Sequence, residues 1–380
     1  MFLFTNSLVY SYEKFLPYPF QANLYGLPSS VIEDCLIGIV DIIKNQSTSP
    51  FQNIEEWIYR SFGSGIAKHF MIPYNQKIWA YPLSEISPNW AADRIVEPDY
   101  QSIISGAVKR KDFKDYPNST VMYPGSGGYD QIVFYLAKKI NLLKNCIKGN
   151  VVKIDLNNKE IYLEEGRKLN FSSLTSTIPL TELVEKTVDV PDQCKINARN
   201  LRAFSLYLVN IVIKKTSNCT DMQRVYCADI NVPFHKLVLN SNSSKYLRDK
   251  DSFSFQAEVS FSPYKQVNRD TLLAQVVNSL KKMSLLKEKD IIIDSSIIEL
   301  PLAYPVYTPE WLPSRQQIFA FYESHKVFVQ DALENGYTLT PMMLLCVAKK
   351  LRIKLFRRNY ENPYYCGTSP WNFKSCYRTF

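Results

Sequence analysis

The chain has 380 residues, of which 46% are hydrophobic and 21% charged, and carries a net charge of +9. That composition describes a globular protein with room for two domains, and no run reaches the ~18 apolar residues that cross a membrane. Residues 349–380 hold eight Lys/Arg against Glu361 alone while the rest is nearly balanced, which excludes a basic nucleic-acid face on the main body.

In chain order, residues 1–28 read as an interdomain connector, in which Pro17 and Pro19 impose an extended path and send Phe20 and Gln21 to opposite sides. A helix is predicted over 28–46, from Ile32, Leu36, Ile39, Val40 and Ile43 at helical spacing after Pro28-Ser29-Ser30. A second begins near Asn53, with Glu55 and Glu56 in its first turn; a third runs from Ile66 to Tyr74 and stops near Pro73. YDQIVFYLAKKINLL (129–143) is amphipathic. VVKIDL-NNK-EIYLEEG then reads as a hairpin turning at Asn157-Asn158, followed by a short buried strand in FSSLTSTIPL. Residues 200–262 alternate as four strands, 268–287 are helical, DIIIDSSIIELPLAYPVYTP is a strand entering an extended segment, and 314–334 form a further helix.

These elements divide the chain into a connector (1–28), a helical substrate-side segment (29–117), a flavin-domain remnant (118–181), a β-rich substrate domain (182–310) and a basic helical segment (311–380). In the last, Met342, Leu345, Leu351 and Leu355 share one side. Two readings stand: a terminal helix packed on the body, or a helix lying on an anionic membrane surface. The eight cysteines contain no C-x-x-C pair, so no metal site is expected. Their long spacings and a start, MFLFTNSLVY, without a basic n-region point to reduced thiols and a cytoplasmic location.

Three stretches follow one another closely: PYPFQANLYGLP (17–28), SFGSGIAKHFMIPYNQKIWAYPLSEISPNWAADR (61–94) and NSTVMYPGSGGYDQI (118–132). Further on stand INVPFHKLVLNSNSS and AYPVYTP. Together, over roughly residues 6–310, they resemble the middle of the UDP-galactopyranose mutases, within the protoporphyrinogen-oxidase and amine-oxidase superfamily. The resemblance implies an α/β (α+β) fold: a partial FAD-binding Rossmann-like domain, an inserted helical segment and a β-sheet substrate domain. It implies FAD as cofactor, a nucleotide-sugar substrate and a role in polysaccharide biosynthesis. In such mutases reduced flavin attacks the anomeric carbon through N5 and the ring recloses as the furanose. No protein general base is needed, and no catalytic residue is expected here.

The resemblance further implies substrate contacts from Trp79, Arg94, Asn118 and Tyr304, and cofactor contacts from Gly125, Gly127, Gly128 and Val151. Each has a plain structural alternative. Trp79 suits a nucleobase or sugar face and equally a core. Arg94 suits a diphosphate and equally an ion pair with Asp93 or Glu97. Tyr304 and Tyr307 suit a diphosphate and equally a Pro-Tyr linker. Asn118 and the glycines suit close approach to a flavin ring and equally a strand-to-helix turn. Lys77 is expected to be solvated, and His69 to pack or lie at the surface. The chain departs from the family in lacking G-x-G-x-x-G and Gly-Arg-Phe/Tyr-Gly. Only Lys265 stands where a second phosphate arginine belongs, and Ser252 replaces a tyrosine. Three functions remain: a mutase-like enzyme incomplete as this chain alone, an oxidoreductase of the wider superfamily, or a paralogue retained as a binding module.

Overall fold

The computed structural model describes residues 2–4, 6–45, 47–90, 95, 99–110, 120–124, 128, 130–139, 145–214, 219–243 and 251–329. The chain divides into two compact units, each built from two separate stretches: residues 1–127 with 203–309, and 128–202 with 310–380.

The first stretch of unit 1 opens with β1 (Phe2–Phe4) and the hairpin β2 (Ser7–Ser11) and β3 (Lys14–Pro17), closed by Tyr12 and Glu13 in the left-handed region. Residues expected to act purely as connector therefore begin as sheet. Pro17 is tolerated because β3 is an edge strand, where a missing N–H breaks no ladder. Beyond it the path is not extended: Phe20–Ala22 turn as a short 3₁₀ helix.

Four helices follow. In α1 (Ser29–Lys44) one face, Val31, Cys35 and Ile39, is buried. In α2 (Ile54–Ile66), Asn53 caps the first turn by accepting from the Glu56 N–H at 2.9 Å, while the Glu56 carboxylate accepts from the Gln52 N–H. The two helices meet at glycines. Gly63 has φ +76°, and a Cβ on Gly65 would stand 2.2 Å from the Asp34 carbonyl oxygen, so neither position has room for a side chain. A single π turn (Ala67–Met71) leads straight into α3 (Ile72–Trp79). Pro73 thus does not stop a helix: it stands in the first turn of α3, directly after the π turn. α3 ends at Ala80, in the left-handed conformation. After α4 (Tyr100–Val108) comes β4 (Thr120–Met122), which pairs with β1.

Unit 2 begins with α5 (Asp130–Lys139), none of whose residues is buried. The meander β5 (Val151–Asp155), β6 (Glu160–Leu163) and β7 (Lys168–Asn170) turns where predicted, with the Asp155 carboxylate accepting from the N–H of Asn158 at 2.9 Å. Then come β8 (Leu174–Ser176), α6 (Leu180–Lys186) and α7 (Asp192–Asn200).

The chain returns to unit 1 with β9 (Ala203–Lys214), β10 (Arg224–Cys227), β11 (Lys236–Val238), the short α8 (Asn240–Ser243), β12 (Ser252–Phe261), α9 (Arg269–Lys282) and β13 (Ile292–Pro305). These strands and the first hairpin make one seven-stranded sheet, ordered β13-β9-β12-β11-β10-β2-β3, antiparallel except for the parallel β10/β2 pair. β12 shows why its sequence alternates. Phe253, Phe255, Ala257 and Val259 enter a core with Leu272, Val276 and Leu280 of α9, and Ser254, Gln256, Glu258 and Ser260 take the other face. α3 lies against β12.

Unit 2 closes with α10 (Trp311–Ser324) and β14 (Val327–Val329), which pairs parallel to β8. The last predicted helix, 314–334, is therefore shorter. Lys326 in the left-handed region ends it, and Val-Phe-Val, a strand-prone triplet, pairs with β8. Ile154, Leu183, Ile318 and Tyr322 anchor this unit's core. The basic segment 341–358 lies outside the described residues. No described helix is long and apolar enough to cross a membrane.

Candidate functional site

A row of ionisable side chains crosses the middle of the seven-stranded sheet. Tyr226 of β10 pairs with Lys236 of β11, and Lys236 with Glu258 of β12, so the three stand side by side as cross-strand neighbours. Lys236 Nζ donates to Glu258 Oε1 at 2.8 Å, and His235 Nε2 lies 3.5 Å from Glu258 Oε2. Burial alone would raise the Glu258 carboxyl; Lys236 and His235 outweigh it and hold it down to about 2. Burial pushes His235 below the usual histidine value, only partly offset by Glu258, so the ring is neutral at pH 7. Among the described residues its Nδ1 has no hydrogen-bond partner.

Helix α3 supplies the next charge. Lys77 is only 6% exposed, and its Nζ donates to the Asp229 carbonyl at 2.9 Å. Lys265, from the loop after β12, donates to the Lys77 carbonyl at 3.2 Å, and Ser262 donates to the Ala80 carbonyl. Both cap the open carbonyls at the C-terminus of α3, where a cation is favoured. Among the described residues no carboxylate oxygen lies within 4.0 Å of either ammonium. Burial holds both lysines down to about 8, Lys265 with help from its neighbour Lys77. The solvated Lys77 expected from sequence is thus a buried one, its Nζ held at the Asp229 carbonyl.

Aromatic rings flank these charges. Phe20 stacks on Phe70 at 4.7 Å, and Phe70 on Tyr74 of α3 at 5.0 Å. Tyr74 meets Tyr226 edge-on at 6.2 Å, and Tyr226 meets Tyr18 at 4.9 Å. The PYPF segment therefore packs its aromatics around the site. Trp79, 5% exposed, sets its edge against Phe204 and Tyr307, both at 5.9 Å. Tyr304, half-buried on β13, stacks on the same Phe204 at 5.4 Å.

No family model matches the chain. Among solved structures, a reduced UDP-galactopyranose mutase superposes with a TM-score of 0.85 and 26% identity, covering 93% of this chain and 78% of that one. A protein described as a protoporphyrinogen oxidase from Exiguobacterium sp. 255-15 gives a TM-score of 0.63 at 11% identity, over 94% and 81%. Cyclohexylamine oxidase from Brevibacterium oxydans IH-35A gives 0.57 at 11%, over 93% and 83%. The chain has the fold of that UDP-galactopyranose mutase, a fold shared with the two oxidases.

Of the residues singled out for a mutase-like site, the structure brings Trp79 and Tyr304 together through Phe204. Arg94, Asn118, Gly125 and Gly127 lie outside the described residues. Gly128 and Val151 belong to unit 2, where Val151 opens β5 and is half-buried. Among the described residues a Cβ on Gly128 would meet the Asp130 side chain, at 3.1 Å. Of the four cofactor residues only Gly128 and Val151 are described. No chemical step is therefore assigned through flavin.

Sequence reasoning passed over Lys236, Glu258 and His235, although PFHK and the polar beat of FSFQAEVSF carried a signal. A polar residue at every second position of an apolar strand marks the face opposite the core. His69 packs as expected: its Nε2 lies 2.9 Å from Asp34 Oδ2 and its Nδ1 2.6 Å from the Tyr12 hydroxyl, tying the first hairpin to α1.

Proposed function

We propose that this chain binds a nucleoside-diphosphate sugar in unit 1, as the substrate-binding part of a mutase-type flavoprotein. The observation that carries the reading is a buried surplus of cations beside aromatic faces. Lys236 is paired with Glu258, Lys265 neighbours His235 and Lys77, and among the described residues no carboxylate oxygen lies within 4.0 Å of the Lys77 or Lys265 ammonium. Buried charges without a counter-ion are costly unless a ligand completes them. A diphosphate brings two negative charges, and the half-buried Tyr74 and Tyr304 offer faces to base and sugar, with the buried Trp79 packed behind Tyr304 through Phe204. The 26% identity with a UDP-galactopyranose mutase supports the same ligand class. Arg94 and Asn118 belong to the proposed contact set, as do Gly125, Gly127, Gly128 and Val151 on the side of an FAD cofactor. Isomerase turnover would require a dinucleotide-binding unit that the described residues do not supply.

An amine oxidase-type activity is the second reading, from the cyclohexylamine oxidase likeness. The same surplus of ammonium groups opposes it, since a cationic amine would be repelled at short range. Calorimetric titration separates the two. UDP-galactose should bind, and Lys236→Met should weaken it about 10- to 100-fold, the worth of a charge-assisted hydrogen bond. Binding of cyclohexylamine with none of UDP-galactose would overturn the reading.

A further inference from the structure

His235 is a buried imidazole with an open valence beside the proposed anion site. It is 7% exposed, its Nε2 faces Glu258 at 3.5 Å, and among the described residues its Nδ1 has no partner. The charged groups around the ring are Glu258 from β12, Lys236 from the next position in the chain, and Lys265 from the loop after β12. Behind them, Lys77 of α3 neighbours Lys265, and Tyr226 of β10 and Tyr304 of β13 neighbour Lys236.

Glu258 is the pivot. Without ligand its carboxylate holds the Lys236 ammonium at 2.8 Å. A phosphoryl oxygen that takes Lys236 must compete with Glu258 and stand near its negative charge. A second cation for Glu258 removes that conflict, and the ring 3.5 Å away can become one. The tautomer that satisfies Glu258 carries its hydrogen on Nε2, which leaves the lone pair on Nδ1 to accept a proton.

We propose that His235 is the proton-accepting member of the anion site: a phosphorylated ligand binds together with one proton from solvent, which bonds to His235 Nδ1. The imidazolium then takes Glu258 as its counter-ion, and Lys236 is released to the phosphoryl oxygens. No covalent bond of the ligand changes. The proposal rests on the nucleoside-diphosphate reading above and adds a linkage that reading does not require. Neutral His235 would leave Glu258 opposing the ligand, so affinity must rise as protons become available.

The test is calorimetry with UDP-galactose in two buffers of different ionisation enthalpy, between pH 6.5 and 7.5. UDP-galactose has no titrating group in that window, and both lysines held near 8 are already largely charged. Uptake of close to one proton is expected, with affinity rising about tenfold from pH 7.5 to 6.5. His235→Asn should still bind, with uptake and slope lost. No uptake by the wild-type chain would overturn the proposal while leaving the ligand reading intact. So would uptake that survives in His235→Asn, which would assign the proton to the lysines. Sulfate, a dianion that does not titrate here, serves as a second probe. Sulfate binding with His235-dependent uptake would support the proposal even if UDP-galactose failed; binding of neither would overturn both.

Discussion

Replacing Lys77 by methionine should stabilise the protein and weaken its ligand. The side chain is 6% exposed, and its Nζ makes one hydrogen bond to the Asp229 carbonyl, at 2.9 Å. Burial lowers its pKa from the ordinary 10.5 to about 8. At ~1.36 kcal/mol per pKa unit, carrying the charge costs the folded state about 3 kcal/mol at pH 7. The sign follows from the direction. The unfolded chain holds this proton more tightly, so the cost is full below about 8 and fades as the pH rises towards 10.5. Methionine fills similar volume without charge but leaves the Asp229 carbonyl without its donor, at about 1 kcal/mol. The expected net gain is about 1–2 kcal/mol at pH 7, and it should vanish or reverse at pH 10. Denaturant melts of both proteins at the two pH values measure it, alongside UDP-galactose titration. Equal destabilisation at both would refute the reasoning, since it would mean that the ammonium is compensated in the fold.

Three further outcomes are expected. Gly65→Ala should cost more than about 3 kcal/mol, because its methyl group would stand 2.2 Å from the Asp34 carbonyl oxygen; unaltered stability by chemical denaturation would show that α1 and α2 part readily. Asn53→Ala should cost about 1 kcal/mol through the lost cap on α2, and a loss below a few tenths in the same assay would remove the cap from the account. The purified chain should be colourless or bind flavin weakly, because its sequence carries no G-x-G-x-x-G turn to hold a pyrophosphate; a stoichiometric yellow protein after gel filtration would contradict this.

Local elements were legible where one signal dominated. The α2 start was written in Asn53 and Glu56, the hairpin turn in Asn157-Asn158, and the long strands of unit 1 in their alternation. Pro73 misled because a proline reads alike as a stop and as a first-turn residue; only the continuity of α2, the π turn and α3 decides. Lys77 misled more instructively. Beside Trp79 in sequence it reads as a surface charge, and its hydrogen-bond partner, the Asp229 carbonyl, lies 152 positions away. His235, Lys236 and Glu258 form a site only through strand register, which no local pattern reveals. The family likeness was carried by motif order, and the superposition at 0.85 bears it out.

The interleaving of the two units bears on how the protein can be taken apart. Unit 1 needs residues 1–127 and 203–309 together, and unit 2 needs 128–202 together with a stretch after 309. No single cut therefore releases either unit whole. A fragment ending at residue 202 would leave Lys77 without Asp229, and one beginning at 203 would leave Lys236 and Glu258 without α3. Bridging the 128–202 excursion costs about 4 kcal/mol in loop-closure entropy before any of these contacts forms. The anion site should accordingly assemble late, among the slowest events of folding. Recovery of ligand binding, rather than of helix content, would be the measure of a completely refolded chain.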